Sequence, residues 1–387
     1  MAYLSGDNDL EQTTEGYLQR LREVGSTARV NVVAQIDGRR HAADTRRVAV
    51  GSRDGTGERV WRLGEVDMGT VRAVADFVQW AKATLPARQY ALIMVGHGSG
   101  VLDLPGDSAG AAVVLRGFGP DESAGDYLSV HQLGEALRLA HESAPGGTPG
   151  LDVVCLDACL TGAIEIAYEL RSSARYLTCV EGILQHPGAP CERVLASLVA
   201  APDLAPREFA IQYVREMGRF WDGRGDGTLR LVEESLVCSA IDLAAVGQAA
   251  TALDGLAEAL TRAMPDDAMA VTRARAEALA FGQMQQYRDI GSFADALGRS
   301  GSDAEVVQAA LAVREALHQA IIATHSGPRS AERPSPASGL CVFFPPNLTR
   351  FPVEYGESSA FAADTRWGAF LEAYLQHMRG MFGAGTA

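Results

Sequence analysis

The sequence predicts an α/β fold, and three observations predict it. Segments with strand character alternate with helical periodicities from the N-terminus to about residue 243. The strand segments are short apolar runs rich in Val, Ile and Leu without polar alternation, which suits parallel strands buried on both faces. Two of these runs, 90–95 and 151–156, stop abruptly at a reactive side chain with glycine close behind. The first ends at His97 within Gly96-His97-Gly98-Ser99-Gly100, the second at Cys159 within Asp157-Ala158-Cys159-Leu160-Thr161-Gly162.

The elements follow in order. Residues 1–4 read as the end of a strand, so the N-terminus is expected to be trimmed or misassigned. Ser5-Gly6-Asp7-Asn8-Asp9 reads as a turn and helix cap rather than a metal site, before a helix over 10–24. A strand spans 28–36, broken by Asp37-Gly38. Segments 45–50 and 58–63 pair as a hairpin. Val71, Val74, Ala75, Phe77 and Val78 lie at helical spacing in 70–84, and Pro86 closes that helix before the strand leading to His97. Residues 101–126 are rich in Gly, Asp, Ser and Ala and read as a long loop, a feature usually tied to function. A helix over 129–141, the strand 151–156, a helix over 162–170 directly behind Cys159 and a strand over 176–180 come next. After a Gly/Pro loop at 181–191, a helix over 206–221 and a strand over 235–241 complete a core at 1–243. Alanine-rich helical patterns at 244–262, 267–281 and 303–324 form an inserted helical section, 244–334. A last strand at 339–344 and a closing helix at 362–378 return to the core as 335–387.

The totals exclude several classes. The 387 residues are 47% hydrophobic, enough for a well-buried core, and the net charge of -14 disfavours nucleic acid or an anionic membrane as the main partner. No run approaches the roughly 18–20 apolar residues of a membrane helix. No charged region followed by an apolar stretch opens the chain, so a cytoplasmic protein is expected. Cys155, Cys159, Cys179, Cys191, Cys238 and Cys341 contain no CxxC pair and form neither a disulfide framework nor a zinc cluster. His131, His141 and His186 are spread over helices and loops, which argues against a metallohydrolase.

A thiol and an imidazole at the carboxyl ends of parallel strands suggest nucleophilic acyl transfer, because ligand sites of open α/β sheets lie there. A helix N-terminus behind Cys159 would lower its pKa and offer N–H groups to an oxyanion. The glycines flanking His97 would let a substrate backbone approach closely.

The chain resembles the clostripain family of cysteine peptidases, which share a caspase-like fold. The resemblance is carried by Tyr3-Leu4-Ser5-Gly6-Asp7-Asn8-Asp9-Leu10-Glu11, Gly64-Glu65-Val66-Asp67-Met68-Gly69, the run from Tyr90 through Gly100 and the run from Asp157 through Leu170. Ser239-Ala240-Ile241-Asp242-Leu243, Asp289-Ile290-Gly291-Ser292-Phe293, the run from Gly339 through Pro345 and Thr365-Arg366-Trp367 follow in the family's order. It implies a caspase-like three-layer sandwich around a mostly parallel sheet. It also implies a Cys159 nucleophile, His97 as general acid/base, an oxyanion held by the N–H groups of Gly98 and Cys159, and peptide or protein substrates. No third catalytic member is required.

The family cleaves after arginine or lysine, and a guanidinium needs a carboxylate at the end of its pocket. Asp157 matches an acidic position used this way; Glu181 is a second candidate, and the plain alternative for Asp157 is local backbone capping. Two departures touch substrate-facing loops: His186-Pro187-Gly188-Ala189-Pro190-Cys191 lacks the family's aromatic, and Val101 replaces a frequent tryptophan. They favour a protease with one dedicated partner, such as a bacterial defence or cell-death effector; a catalytically inactive binding module is the remaining alternative. Self-cleavage between histidine and cysteine, known in the family, is expected after Arg116. No cofactor is expected. Calcium is left open at 222–233, where acids at positions 1, 5 and 12 and a glycine at 6 imitate a calcium loop but Arg224 occupies a ligand position.

Overall fold

The computed structural model describes residues 1–39, 45–52, 57–103, 114–115, 117–142, 150–222, 236–300, 303–328, 332–333, 335–346 and 352–383. The chain begins with β1 (Ala2–Gly6), α1 (Glu11–Val24) and β2 (Val33–Gly38), followed by the hairpin β3 (Thr45–Ala49) and β4 (Arg59–Gly64). Next is α2 (Val71–Thr84), whose Thr70 hydroxyl accepts the Ala73 N–H at its start, and then β5 (Ala91–Val95). Two short antiparallel pairs follow: β6 (Leu102–Asp103) with β7 (Val114–Leu115), and β8 (Gly117–Asp121) with β9 (Asp126–Ser129). The core continues through α3 (Val130–Glu142), β10 (Leu151–Asp157), α4 (Ile164–Glu169), β11 (Ala174–Val180), α5 (Cys191–Ala200), α6 (Pro206–Asp222) and β12 (Val237–Asp242). The remainder comprises α7 (Val246–Glu277), β13 (Ala280–Phe281), β14 (Tyr287–Asp289), α8 (Ile290–Arg299), α9 (Ala304–Ala320), β15 (Ile321–Ser326), β16 (Cys341–Phe343), α10 (Ala360–Asp364) and α11 (Trp367–Gly383).

Nine strands form the central sheet in the order β15-β12-β11-β10-β5-β1-β2-β3-β4. The five inner strands, β11 through β2, run parallel, and antiparallel strands complete both edges. Every residue of β10 is buried, which is why its sequence lacks polar alternation. Helices cover both faces. Leu4 and Ile36 pack toward α1 and α5 with Leu18 and Leu195, while Val153 and Cys155 pack toward α6 with Phe209 and Val214. On the opposite face Tyr3, Met94, Val154 and Leu177 join α2, α3, α4 and α7 in one large core. The result is the three-layer α/β arrangement expected.

Four local expectations are corrected. The 101–126 stretch is not a structureless loop, since β6 to β9 lie in and beside it and β8 returns under His97. The patterns at 244–262 and 267–281 are one helix, α7, continuous through position 265. An interior proline costs about 3 kcal/mol; the buried stripe Leu253, Leu256, Leu260, Val271 and Ala274 offsets it. The helix expected to 324 stops at Ala320, and Ile321–Ser326 instead becomes β15, pairing antiparallel with β12. Its β-branched start favours a strand, and only the free edge of β12 makes one available. The closing helix is two, α10 and α11, with the Ser359 hydroxyl accepting the Ala362 N–H at the start of α10.

Glu165, on the helix behind Cys159, fastens that helix to β16. It is fully buried, and its Oε1 accepts the Phe343 N–H at 3.0 Å and the Tyr355 hydroxyl at 2.8 Å. Burial pushes its pKa up from 4.5 to about 7, against the pull of those donors. A raised carboxyl contributes stability that is complete below the unfolded pKa and lost as pH rises through the folded one. The loss between pH 4.5 and 8 is therefore about 3 kcal/mol for this group. Glu165→Gln keeps the acceptor oxygen and removes the titration. Urea unfolding should show a pH profile flatter than wild type by about 2–3 kcal/mol between pH 5 and 8; superimposable profiles would refute the assignment.

Candidate active site

The parallel register sets His97 and Cys159 side by side. Strand β5 pairs with β10 so that Val95 faces Asp157, and the Gly96 N–H reaches the Asp157 carbonyl at 3.5 Å. Two residues beyond each of those strand ends the chain carries its reactive side chain. A Cβ on Gly98 would lie 2.1 Å from the Cys159 carbonyl oxygen, so the two loops touch at a contact that only glycine permits. Across the loop, the Gly119 N–H of β8 donates to the His97 carbonyl at 2.9 Å, and Gly98 bridges to Phe118.

Leu160, directly after Cys159, has a φ of 55°, a left-handed conformation that a branched side chain rarely adopts. The sharp turn is held by the Leu160 N–H donating to the Gly182 carbonyl at 2.9 Å and the Gly162 N–H donating to the Val180 carbonyl at 2.7 Å. The Thr161 hydroxyl reinforces it, accepting the Val180 N–H at 3.0 Å. Helix α4 begins only at Ile164 and has six residues. It therefore does not abut Cys159, and the expected depression of the thiol pKa is corrected: burial pushes the Cys159 thiol up, opposed by the Leu184 N–H. That N–H lies 3.3 Å from Sγ, and the Leu184 carbonyl lies at 3.6 Å. The other five cysteines are buried.

His97 meets a partner that sequence reasoning missed. Its Nε2 lies 2.5 Å from Asp9 Oδ1, and this hydrogen bond holds the Asp9 carboxyl below the usual carboxylate range. The cap reading of Asp7-Asn8-Asp9 is corrected accordingly. Asn8 Oδ1 alone accepts the Leu10 N–H at the helix start, while Asp9 turns to His97. Tyr287 is a second missed residue: its hydroxyl accepts the Val101 N–H at 2.7 Å and would collide with any side chain at Gly100. Neither carried a local signal, since both act across large sequence separations.

The two predicted acids flank the nucleophile on neighbouring strand ends. Asp157 ends β10, is 4% exposed and accepts the Ala189 N–H on both oxygens, at 3.1 and 3.0 Å. Gly188, at φ 78°, passes so close that a Cβ would sit 2.8 Å from Asp157 Oδ1. Burial pushes Asp157 up to about 6, opposed by the Ala189 N–H and the Arg20 charge. Glu181 follows β11 and is fully buried, and neither of its oxygens has a hydrogen-bond partner among the described residues. Burial and the neighbouring Asp289 carboxylate raise it well above the ordinary range. Arg116 and most of the 222–233 stretch lie outside the described residues.

Comparison with known proteins bears on the family and the fold. The clostripain family profile matches residues 2–374. Clostripain of Hathewaya histolytica is 24% identical over 142 residues, 35% of this chain and 26% of that protein, so the match spans about a quarter of its length. A secreted C11 cysteine protease from Bacteroides thetaiotaomicron, solved with an irreversible peptide inhibitor, superposes with a TM-score of 0.68 at 18% identity, covering 96% of this chain and 97% of that one. An inactive zymogen C11 protease from Parabacteroides distasonis superposes with a TM-score of 0.62 at 14% identity, covering 96% of each. These likenesses show the caspase-like fold, and no helix among the described residues is long and apolar enough to cross a membrane. With the family profile spanning all but the ends of the sequence, the chain belongs to the clostripain family of cysteine peptidases.

Proposed function

We propose that this chain is a cysteine endopeptidase cleaving peptide bonds after arginine, and after lysine. The observation that carries the proposal is the contact of the His97 loop with the Cys159 loop at the carboxyl ends of β5 and β10. His97 takes the proton of the Cys159 thiol, the thiolate attacks the scissile carbonyl, the N–H groups of Gly98 and Cys159 hold the oxyanion, and His97 passes that proton to the leaving amine. Water then attacks the acyl-enzyme, with His97 taking its proton. Asp9 orients the imidazole and stabilises its charged form.

Specificity rests on Asp157 and Glu181. Two buried acids beside a nucleophile, neither hydrogen-bonded by a cationic side chain among the described residues, suit a guanidinium or ammonium, which would pair with them directly. Fluorogenic peptides ending in Arg, Lys, Asp and Leu test this. Asp157→Asn is expected to lower kcat/KM for the arginyl peptide by about 100-fold, roughly 2.7 kcal/mol, while sparing any residual cleavage after Leu. Equal loss on every peptide would assign Asp157 to loop support instead.

The thiol's contact with Leu184 favours a more regulated form of the same reading. A segment resting on the nucleophile must move before substrate enters. Self-processing after Arg116 and action on one dedicated partner belong to this reading. A digest of a whole proteome that yields many unrelated cleavages would count against the dedicated partner.

A further inference from the structure

We propose that Asp7, Asp37, Glu65 and Asp121 form a calcium site that braces the segment holding His97. The four come from separate parts of the chain: the turn after β1, strand β2, the residue after β4 and the end of β8. One carboxylate oxygen from each lies within 4.8 Å of the others. Asp7, Asp37 and Asp121 are at most 2% exposed, and Glu65 closes the group on the solvent side.

The observation beyond clustering is that Asp7 Oδ1 and Asp37 Oδ2 are buried without any hydrogen-bond partner among the described residues. The other oxygens of the three aspartates are oriented by neutral donors. Asp7 Oδ2 accepts the Ser123 N–H at 3.2 Å, and Asp37 Oδ1 accepts the Thr45 hydroxyl at 2.9 Å. Asp121 accepts the Met68 and Ala124 N–H groups at 2.9 and 3.0 Å. No described lysine, arginine or histidine forms an ion pair with any of the four. Four converging carboxylates, three of them held in place and none neutralised by a described cationic side chain, are the environment of a bound cation. Burial and mutual repulsion push Asp37 up to about 7, and raise Asp121 and Glu65 as well.

The donor set selects the ion. It holds oxygen alone, with no imidazole or thiolate, which favours a hard cation over zinc or copper. Magnesium keeps most of its water and uses one or two carboxylates, whereas calcium accepts several in irregular geometry. The position gives the ion a role. Strand β8 donates Gly119 N–H to the His97 carbonyl, the Glu122 N–H donates to the Asp7 carbonyl at 2.9 Å, and Asp9 two residues on holds the imidazole. An ion bridging Asp7 and Asp121 would tie together both supports of His97. The site is distinct from the 222–233 stretch.

The test uses the full chain as Cys159→Ala, stripped with EDTA, so that its outcome does not depend on peptidase activity. Calorimetric titration with calcium chloride should show one site per chain at micromolar affinity. Thermal unfolding should rise by about 4 °C at a hundredfold excess over Kd. Magnesium should bind at least about tenfold more weakly and zinc should give no shift. Asp37→Asn should abolish the calcium-dependent shift, and without calcium should melt at or above the stripped parent because repulsion is relieved. Glu65→Gln, at an exposed position, should weaken binding about tenfold and covers the case in which Asp37→Asn fails to fold. Absence of saturable binding overturns the proposal. So does binding that survives both substitutions, or that is lost only in Asp226→Ala.

Discussion

Replacing Cys159 with alanine is expected to lower kcat/KM for an arginyl peptide by at least about 10⁴-fold. The thiol is the attacking atom, and alanine leaves only binding and the oxyanion donors. His97→Ala should cost about as much, and the double variant little more, because the two act as a unit. The loss should come without unfolding, since Cys159 is only partly buried and packs at the margin of the core, where losing one sulfur leaves a small gap. A denaturing gel reports self-processing: Cys159→Ala should remain one chain, and so should Arg116→Ala if the cut falls after Arg116. A thiol-directed peptide inhibitor should label wild type at Cys159 and leave the buried cysteines untouched. A Cys159→Ala protein with full activity would sink the mechanism, and wild type that folds but never labels would favour an inactive binding module.

Trp367→Ala is expected to cost about 4–5 kcal/mol of stability. Trp367 is fully buried at the start of α11 and packs edge-on against Phe293, Phe344 and, tilted, Phe370. Its indole N–H donates to the Phe343 carbonyl at 2.8 Å. Truncation would leave a cavity where α8, α11 and β16 meet and strip a buried carbonyl of its donor. Trp367→Phe should recover most of the packing while still losing the hydrogen bond, at about 1–2 kcal/mol. Urea unfolding followed by circular dichroism measures both. A cost under about 1 kcal/mol for the alanine variant would mean that the aromatic cluster collapses onto the gap.

The legible part of this protein was written in local pattern. Uninterrupted apolar runs at β5 and β10 mark strands covered on both faces, and a reactive residue shortly after each run places chemistry at their carboxyl ends. Family motifs added roles that periodicity cannot supply. The sequence of the long helix α7 reads as two helices because a proline and two aspartates look like a break when the burial that overrides them is out of sight. The sequence of β15 reads as the end of a helix because its choice depends on an edge offered by β12, some eighty positions earlier.

The amino-acid sequence alone determined the α/β class, the two loops that carry His97 and Cys159, and the placing of Asp157 two residues before the cysteine. Each of these is a property of a few adjacent residues. Tertiary structure alone decided that Asp9 holds the imidazole, that Leu184 rests on the thiol, and that Glu181 lies buried beside Asp289. It alone brought Asp7, Asp37, Glu65 and Asp121 to one point. Those outcomes depend on which strand ends a parallel sheet sets side by side, and residues separated by tens of positions carry no mark of that in their spacing.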